Sequence, residues 1–163
     1  MVDVRTTLNR VNRELARENP EMLFVTAFAA IFDAESGVIE YCIAGHDAPW
    51  LITPRGVVNQ LDGEGNLPLC VREEQDYPLL RLQLSVGDTI CVVTDGITEA
   101  MNAGNELYGK AQLNRLLGKN AWSLSPSTLT ALVHDDVHAF TGGAEQSDDL
   151  ALLVMRWNGP KDA

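Results

Sequence analysis

The 163-residue chain is 45% hydrophobic and carries 12 Lys and Arg against 23 Asp and Glu, a formal charge of −11. That is enough apolar sequence for one globular domain, or a large part of one. So few phosphate-neutralising cations argue against nucleic acid or an anionic membrane as a partner. The three cysteines, Cys42, Cys70 and Cys91, are odd in number and lack metal-ligand spacing. Cys42 and Cys91 sit in apolar runs and read as small core residues, which favours a reducing, cytoplasmic location. The longest apolar run, residues 22–32, is too short for a membrane helix, and residues 1–5 do not resemble a signal peptide.

In chain order, Val4, Leu8, Val11 and Leu15 form one stripe of an amphipathic helix over residues 3–18, stopped by Asn19-Pro20. Residues 22–33 read as a buried strand, turned at Ser36-Gly37 into a hairpin partner at residues 38–44. Gly45-His46-Asp47-Ala48-Pro49 breaks the pattern. A second, shorter hairpin runs over 50–53 and 56–60, and 62–68 is a loop. Residues 77–84 alternate as a strand, and 89–94 reads as a central one. Residues 97–105 look irregular. Helices are predicted over 106–117, closed by Gly118, and from Ser125-Pro126 to about Phe140, ended by Gly142-Gly143. The last strand is 150–157. Strands in a block, with helices before and after, predict an α+β antiparallel system rather than βαβ units.

Two acidic turns flank the strongest strands. Residues 89–94 run into Asp95-Gly96, and Ser147-Asp148-Asp149 runs into residues 150–155. If those strands are antiparallel neighbours, Asp95 and Asp148 meet at one sheet edge. Carboxylates so placed repel unless a cation holds them, and oxygen-only donors suit Mg²⁺ or Mn²⁺ rather than Zn²⁺. The bland alternative is a pair of polar turns. His46, in a turn, reads as structural. His134 and His138 share a helix face, but with no third ligand in view they read as surface decoration. The Gly63/Gly65 stretch lacks the Gly-Lys-Ser/Thr ending of a phosphate loop. Neither a Ser-His-Asp nor a Cys-His arrangement is evident.

Several motifs then fall in order: Phe24-Val25-Thr26-Ala27-Phe28, Ala44-Gly45-His46-Asp47-Ala48-Pro49, Asn66-Leu67-Pro68-Leu69-Cys70-Val71, Thr94-Asp95-Gly96-Ile97-Thr98-Glu99-Ala100, the 104–109 segment Gly-Asn-Glu-Leu-Tyr-Gly, and Asp148-Asp149-Leu150-Ala151. Together, over residues 8–157, they resemble the SpoIIE/RsbU-type bacterial serine phosphatases of the metal-dependent, protein phosphatase 2C-like (PPM) superfamily. The resemblance implies a PPM-type α-β-β-α sandwich of two stacked antiparallel sheets flanked by helices, here partial. It implies two Mg²⁺ or Mn²⁺ ions in the complete domain and direct attack of a metal-bridging water on a phosphoserine or phosphothreonine. By motif position, Asp95 and Asp148 would be metal ligands, Gly96 would permit the turn, and Asp149, Gly45 and His46 would be structural or stand behind the ligands. The implied partners are a phosphorylated anti-anti-sigma-like protein and an N-terminal sensor or receiver domain in the parent chain.

The sequence departs from the family in two ways. The upstream acidic motifs, of Gly-Gly-Asp-x-x-Asp and Asp-x-Ser-Gly-His-Gly type, do not occur here. Residues 1–158 are therefore expected to be the C-terminal two-thirds of such a domain, with 159–163 a tail. The chain alone should bind metal weakly, turn over little, and self-associate through apolar surface left open. Cys70 and Ala151 also replace the commoner Gly and Thr. The competing readings are a phosphatase-like binding module without hydrolysis and an unrelated α+β domain.

Overall fold

The computed structural model describes residues 3–63, 65–119, 121–144 and 148–160. Two units are evident. The first comprises residues 1–48, 62–84 and 159–163; the second comprises 49–61 and 85–158. Each is built around one antiparallel sheet, with a single described helix in the first unit and several in the second, so the α+β expectation holds.

In the first unit, α1 (Val4–Arg17) starts at Asp3, whose carboxylate accepts the Thr6 N–H at 2.7 Å as an N-cap. The sheet has the order β1-β2-β5, formed by β1 (Ala27–Asp33), β2 (Val38–Ala44) and β5 (Leu80–Gln83). The first hairpin turns where predicted, with Asp33 opposite Val38 and Ala27 opposite Ala44, but β1 begins five residues later than expected. Strand β5 is shorter than the predicted 77–84. Tyr77 is instead buried with Val4, Leu8, Cys42, Ala44 and Leu69 in the unit's core.

Two expectations fail here for physical reasons. The buried face of α1 is Val4, Leu8 and Asn12, while Val11 and Leu15 are 39% and 45% exposed. Asn12 wins its place because its amide is fully used. It donates to the carbonyls of Arg72 and Glu73 at 2.8 and 3.1 Å and accepts the Cys70 N–H at 2.9 Å. Residues 22–33 are not a buried strand either. Only Ala27–Asp33 is extended in the sheet, and it lies at the edge, paired on one side. Met22 and Phe24 are 85% and 64% exposed. Asn19 organises this approach, accepting the Leu23 N–H and donating to the Leu23 carbonyl.

In the second unit the sheet order is β4-β3-β6-β7, from β3 (Trp50–Ile52), β4 (Val58–Gln60), β6 (Thr89–Val93) and β7 (Leu152–Arg156). Trp50, Ile52, Cys91 and Val93 pack with buried residues of α3 (Gly109–Gly118) and α4 (Pro126–Thr141), among them Leu113, Leu117, Leu129, Val133 and Val137. Helix α4 follows its sequence signals closely. Ser125 accepts the Thr128 N–H at 3.1 Å, Pro126 occupies the first turn, and Gly142 ends the helix at φ +59°. Helix α3 begins at Gly109, three residues later than predicted, and keeps Gly118 inside its last turn. The stretch predicted as irregular opens with a helical turn, α2 (Asp95–Thr98). Ile97 and Thr98 are buried there, which holds the turn closed. Among the described residues, no helix is long and apolar enough to cross a membrane.

Candidate metal centre

Strands β6 and β7 are antiparallel neighbours, with Val93 opposite Leu152 and Thr89 opposite Arg156. The end of β6 therefore lies beside the start of β7, and the Asp95-Gly96 turn adjoins the Asp148-Asp149 turn. Ser147 lies outside the described residues.

Three contacts hold the two turns together. The Thr94 N–H donates to the Ala151 carbonyl at 3.0 Å, which carries the ladder one step past the strands. The Thr94 hydroxyl accepts the Ala151 N–H at 3.0 Å and donates to the Asp149 carbonyl at 3.0 Å. Gly96 is buried against the same segment: a Cβ there would lie 2.4 Å from the Asp149 carbonyl oxygen. A methyl group cannot occupy that space unless one turn moves. Gly96 is thus required by close approach rather than by its φ. Sequence reasoning missed Thr94. Its signal was available, since a hydroxyl at a strand's last position can replace a ladder partner.

Asp95, Asp148 and Asp149 are exposed. Asp95 Oδ1 accepts the Gly96 N–H at 3.0 Å, and Asp148 Oδ1 accepts the Asp149 N–H at 2.7 Å. Each of these two carboxylates is oriented by the amide that follows it.

The donor chemistry fits a hard cation such as Mg²⁺ or Mn²⁺, which is commonly held by one or two carboxylates and keeps several waters. Among the described residues, no three His, Cys, Asp or Glu side chains are grouped to hold a metal. The fit is therefore one of donor type and accessibility, without a closed cage.

Gly45 and His46 belong to the first unit, just after β2. Gly45 has φ +67°, and a Cβ there would meet Pro68 Cγ at 2.5 Å, so it seats the 66–71 loop. The His46 Nδ1 lies 2.7 Å from the Asp47 carbonyl oxygen, which suits the structural reading. In the same loop Cys70 has φ +71°, a left-handed conformation that favours glycine. The departure from Gly noted in the sequence therefore falls where it strains the backbone.

The Stage II sporulation protein E (SpoIIE) profile matches residues 2–158. Phosphoserine phosphatase RsbU of Bacillus subtilis is 24% identical over 150 residues, covering 91% of this chain and 44% of that protein. The phosphatase domain structure of SpoIIE from Bacillus subtilis, solved with a fragment of its regulatory domain, superposes with a TM-score of 0.78 at 20% identity. It covers 95% of this chain and 45% of that one. RsbX crystallised with magnesium gives a TM-score of 0.63 at 17% identity, covering 94% and 64% of the two chains. The chain spans less than half the length of the curated relatives it matches.

Proposed function

The chain belongs to the Stage II sporulation protein E (SpoIIE) family, and from that premise we propose that it is part of a protein phosphatase 2C-like hydrolase acting on a phosphoserine or phosphothreonine protein, with Asp95 and Asp148 as ligands of a Mg²⁺ or Mn²⁺ ion. The single observation that carries this reading is the register of β6 and β7, with Gly96 packed on the Asp149 carbonyl. Two carboxylate turns are held side by side where like charges would otherwise keep them apart.

A bound dication supplies a nucleophilic water at neutral pH and offsets charge on the phosphoryl oxygens. The chain's own residues supply the position. Thr94 and Gly96 fix the distance between the turns, and the amides of Gly96 and Asp149 orient the two carboxylates. A cation also answers the chain's charge of −11, because it inverts the local field that would repel a phosphate. Asp149 contributes its backbone to the latch and no assigned ligand atom.

The substrate is proposed to be an anti-anti-sigma-type phosphoprotein in sigma-factor regulation, with a sensor or receiver domain in the parent chain. Residues 1–158 are proposed to be the C-terminal two-thirds of the phosphatase domain. With two carboxylates only, this chain should hold Mn²⁺ at about millimolar affinity, roughly −4 kcal/mol. It should turn over little by itself. The exposed Met22, Leu23 and Phe24 should also promote self-association, visible as concentration-dependent sedimentation.

The deciding experiment titrates Mn²⁺ into this chain and into the parent chain carrying its upstream residues, each with a phosphoserine protein assay. Tight binding and turnover in the longer chain, lost in Asp95→Asn and Asp148→Asn, are expected. Binding and turnover that survive both substitutions would remove the metal-ligand assignment. Absence of turnover in the longer chain would leave a phosphoprotein-binding module.

A further inference from the structure

The carboxylate turns leave one pair of metal-capable side chains unused, the two histidines of α4. His134 and His138 are four residues apart and so share one face of the helix. Their rings are stacked, with centroids 6.3 Å apart and planes 13° from parallel. Metal–nitrogen bonds of about 2.0–2.1 Å, plus the ring radius on each side, put the centres of two imidazoles that share one ion about 5–6.5 Å apart. The observed spacing lies within that reach. Both side chains are exposed, so a small rotation can turn a nitrogen of each ring towards a common point. Leu129, Val133 and Val137 anchor the same helix in the core, which gives the pair a rigid support.

The surroundings of the pair suit a cation. Asp135 Oδ1 lies 3.3 Å from His134 Nδ1. A metal-binding histidine commonly donates its other ring N–H to a carboxylate, which fixes the tautomer and leaves one lone pair for the ion. With Asp135 on Nδ1, that lone pair belongs to His134 Nε2. Both rings also line one cavity of about 330 Å³, and among its described lining residues none is Lys or Arg. No fixed cation there competes with a metal ion. His138 stands in the last turn of α4, where the negative end of the helix dipole favours positive charge. The chain's charge of −11 attracts dications in general.

We propose that His134 and His138 together hold one dication of the Zn²⁺ class through their ring nitrogens, with Asp135 orienting His134 and waters completing the coordination shell. Imidazole suits Zn²⁺, Ni²⁺ and Cu²⁺, whereas carboxylates suit Mg²⁺ and Mn²⁺. The histidine pair and the Asp95–Asp148 turns therefore select different ions. Among the described residues, no three His, Cys, Asp or Glu side chains are grouped to hold a metal, so the pair is an open site with two protein ligands. Its ion exchanges with solution, unlike a structural zinc enclosed by four ligands. The proposal stands independently of the phosphatase reading.

The test titrates Zn²⁺ calorimetrically into the full 163-residue chain, with its thiols kept reduced and Mg²⁺ in excess to occupy the carboxylate turns. His134→Asn and His138→Asn should each lower the Zn²⁺ affinity about tenfold or more, because either leaves a single imidazole without its chelating partner. Asp135→Asn should weaken binding by a smaller factor. The double variant Asp95→Asn/Asp148→Asn should bind Zn²⁺ as the parent sequence does. In proton NMR the ring signals of His134 and His138 should shift on addition of Zn²⁺, while those of His46 stay in place. Both histidines are exposed, so the metal-free variants should unfold in urea at the parent midpoint. Absence of Zn²⁺ binding, an affinity unmoved by either histidine substitution, or its loss in Asp95→Asn/Asp148→Asn would overturn the proposal.

Discussion

Each unit is held together internally by a different kind of contact. In the first, α1 is tied to the 70–77 segment largely by polar groups. Asn12 bridges the chain at Cys70, Arg72 and Glu73, Asn9 accepts the Tyr77 N–H, and Arg5 and Arg17 pair with Asp76 and Glu73. Its buried apolar residues include Ile39, Tyr41, Ile43, Tyr77 and Leu84, and much large apolar surface near β1 stays exposed. In the second unit the core is apolar and continuous, from Trp50 through Val93 to Val137. The difference shows how each element gets its uniqueness. Directional hydrogen bonds select one face of α1, whereas close packing sets α3 and α4 on their sheet.

The second core should be the more sensitive of the two to truncation. Leu129 is fully buried there, so Leu129→Ala should cost about 2–5 kcal/mol in urea unfolding. A loss below about 1 kcal/mol would mean that the core relaxes around the gap and is not close-packed.

In the first unit the sharpest probe is Asn12→Ala, which strands the Cys70 N–H and two carbonyls. A cost of about 1–3 kcal/mol is expected. Amide exchange should accelerate over residues 70–77 and remain unchanged in α4. By contrast, the Arg5–Asp76 pair is exposed, so the Arg5→Ala variant should remain near wild-type stability.

Alkali offers a test of both cores. Burial pushes the Cys91 thiol from 9.0 up to about 12, and burial likewise pushes the Tyr77 phenol from 10.0 up to about 12. A folded pKa raised above the unfolded value gives stability that is complete below the unfolded pKa. That stability drains away as pH climbs toward the folded one. Unfolding free energy should therefore decline from pH 9 towards pH 12, by about 1 kcal/mol from Cys91 at pH 10. The Cys91→Ala variant should show a shallower decline. An unchanged slope would count against an ionisation-linked cost at Cys91.

One substitution should bring a small gain. Cys70 holds φ +71°, so Cys70→Gly relieves left-handed strain of about 1–2 kcal/mol. Part of that gain is returned as unfolded-chain entropy of about 0.5–1 kcal/mol. A net stabilisation below about 1 kcal/mol should appear as a higher urea midpoint. Destabilisation would show that the Cys70 side chain contributes more packing than its backbone costs.

Much of the fold was legible because several signals were local. Residues 38–44 and 89–93 combine apolar character with turns at their ends. Ser125-Pro126 and Gly142 bracket α4 through capping chemistry that needs no tertiary partner. The pairing of the two acidic turns could also be anticipated, since antiparallel neighbours bring one strand's end beside the next strand's start. The buried face of α1 was not legible. A hydrophobic stripe selects Val11 and Leu15, and nothing in the helix itself reveals that a distant loop offers Asn12 three backbone partners. The edge position of β1 was hidden for a similar reason. Its Phe and Ile content states a preference for extended structure but cannot count its neighbours.

The α+β class, most element positions, the family and the two acidic turns could all be read from the amino-acid order, because those depend on local propensity, periodicity and short motifs. The Thr94–Gly96 latch, the left-handed Cys70 and the buried Asn12 emerge from the folded arrangement instead. Each of those depends on which backbone or side-chain groups from distant parts of the chain come within a few ångströms, and no single segment carries that information.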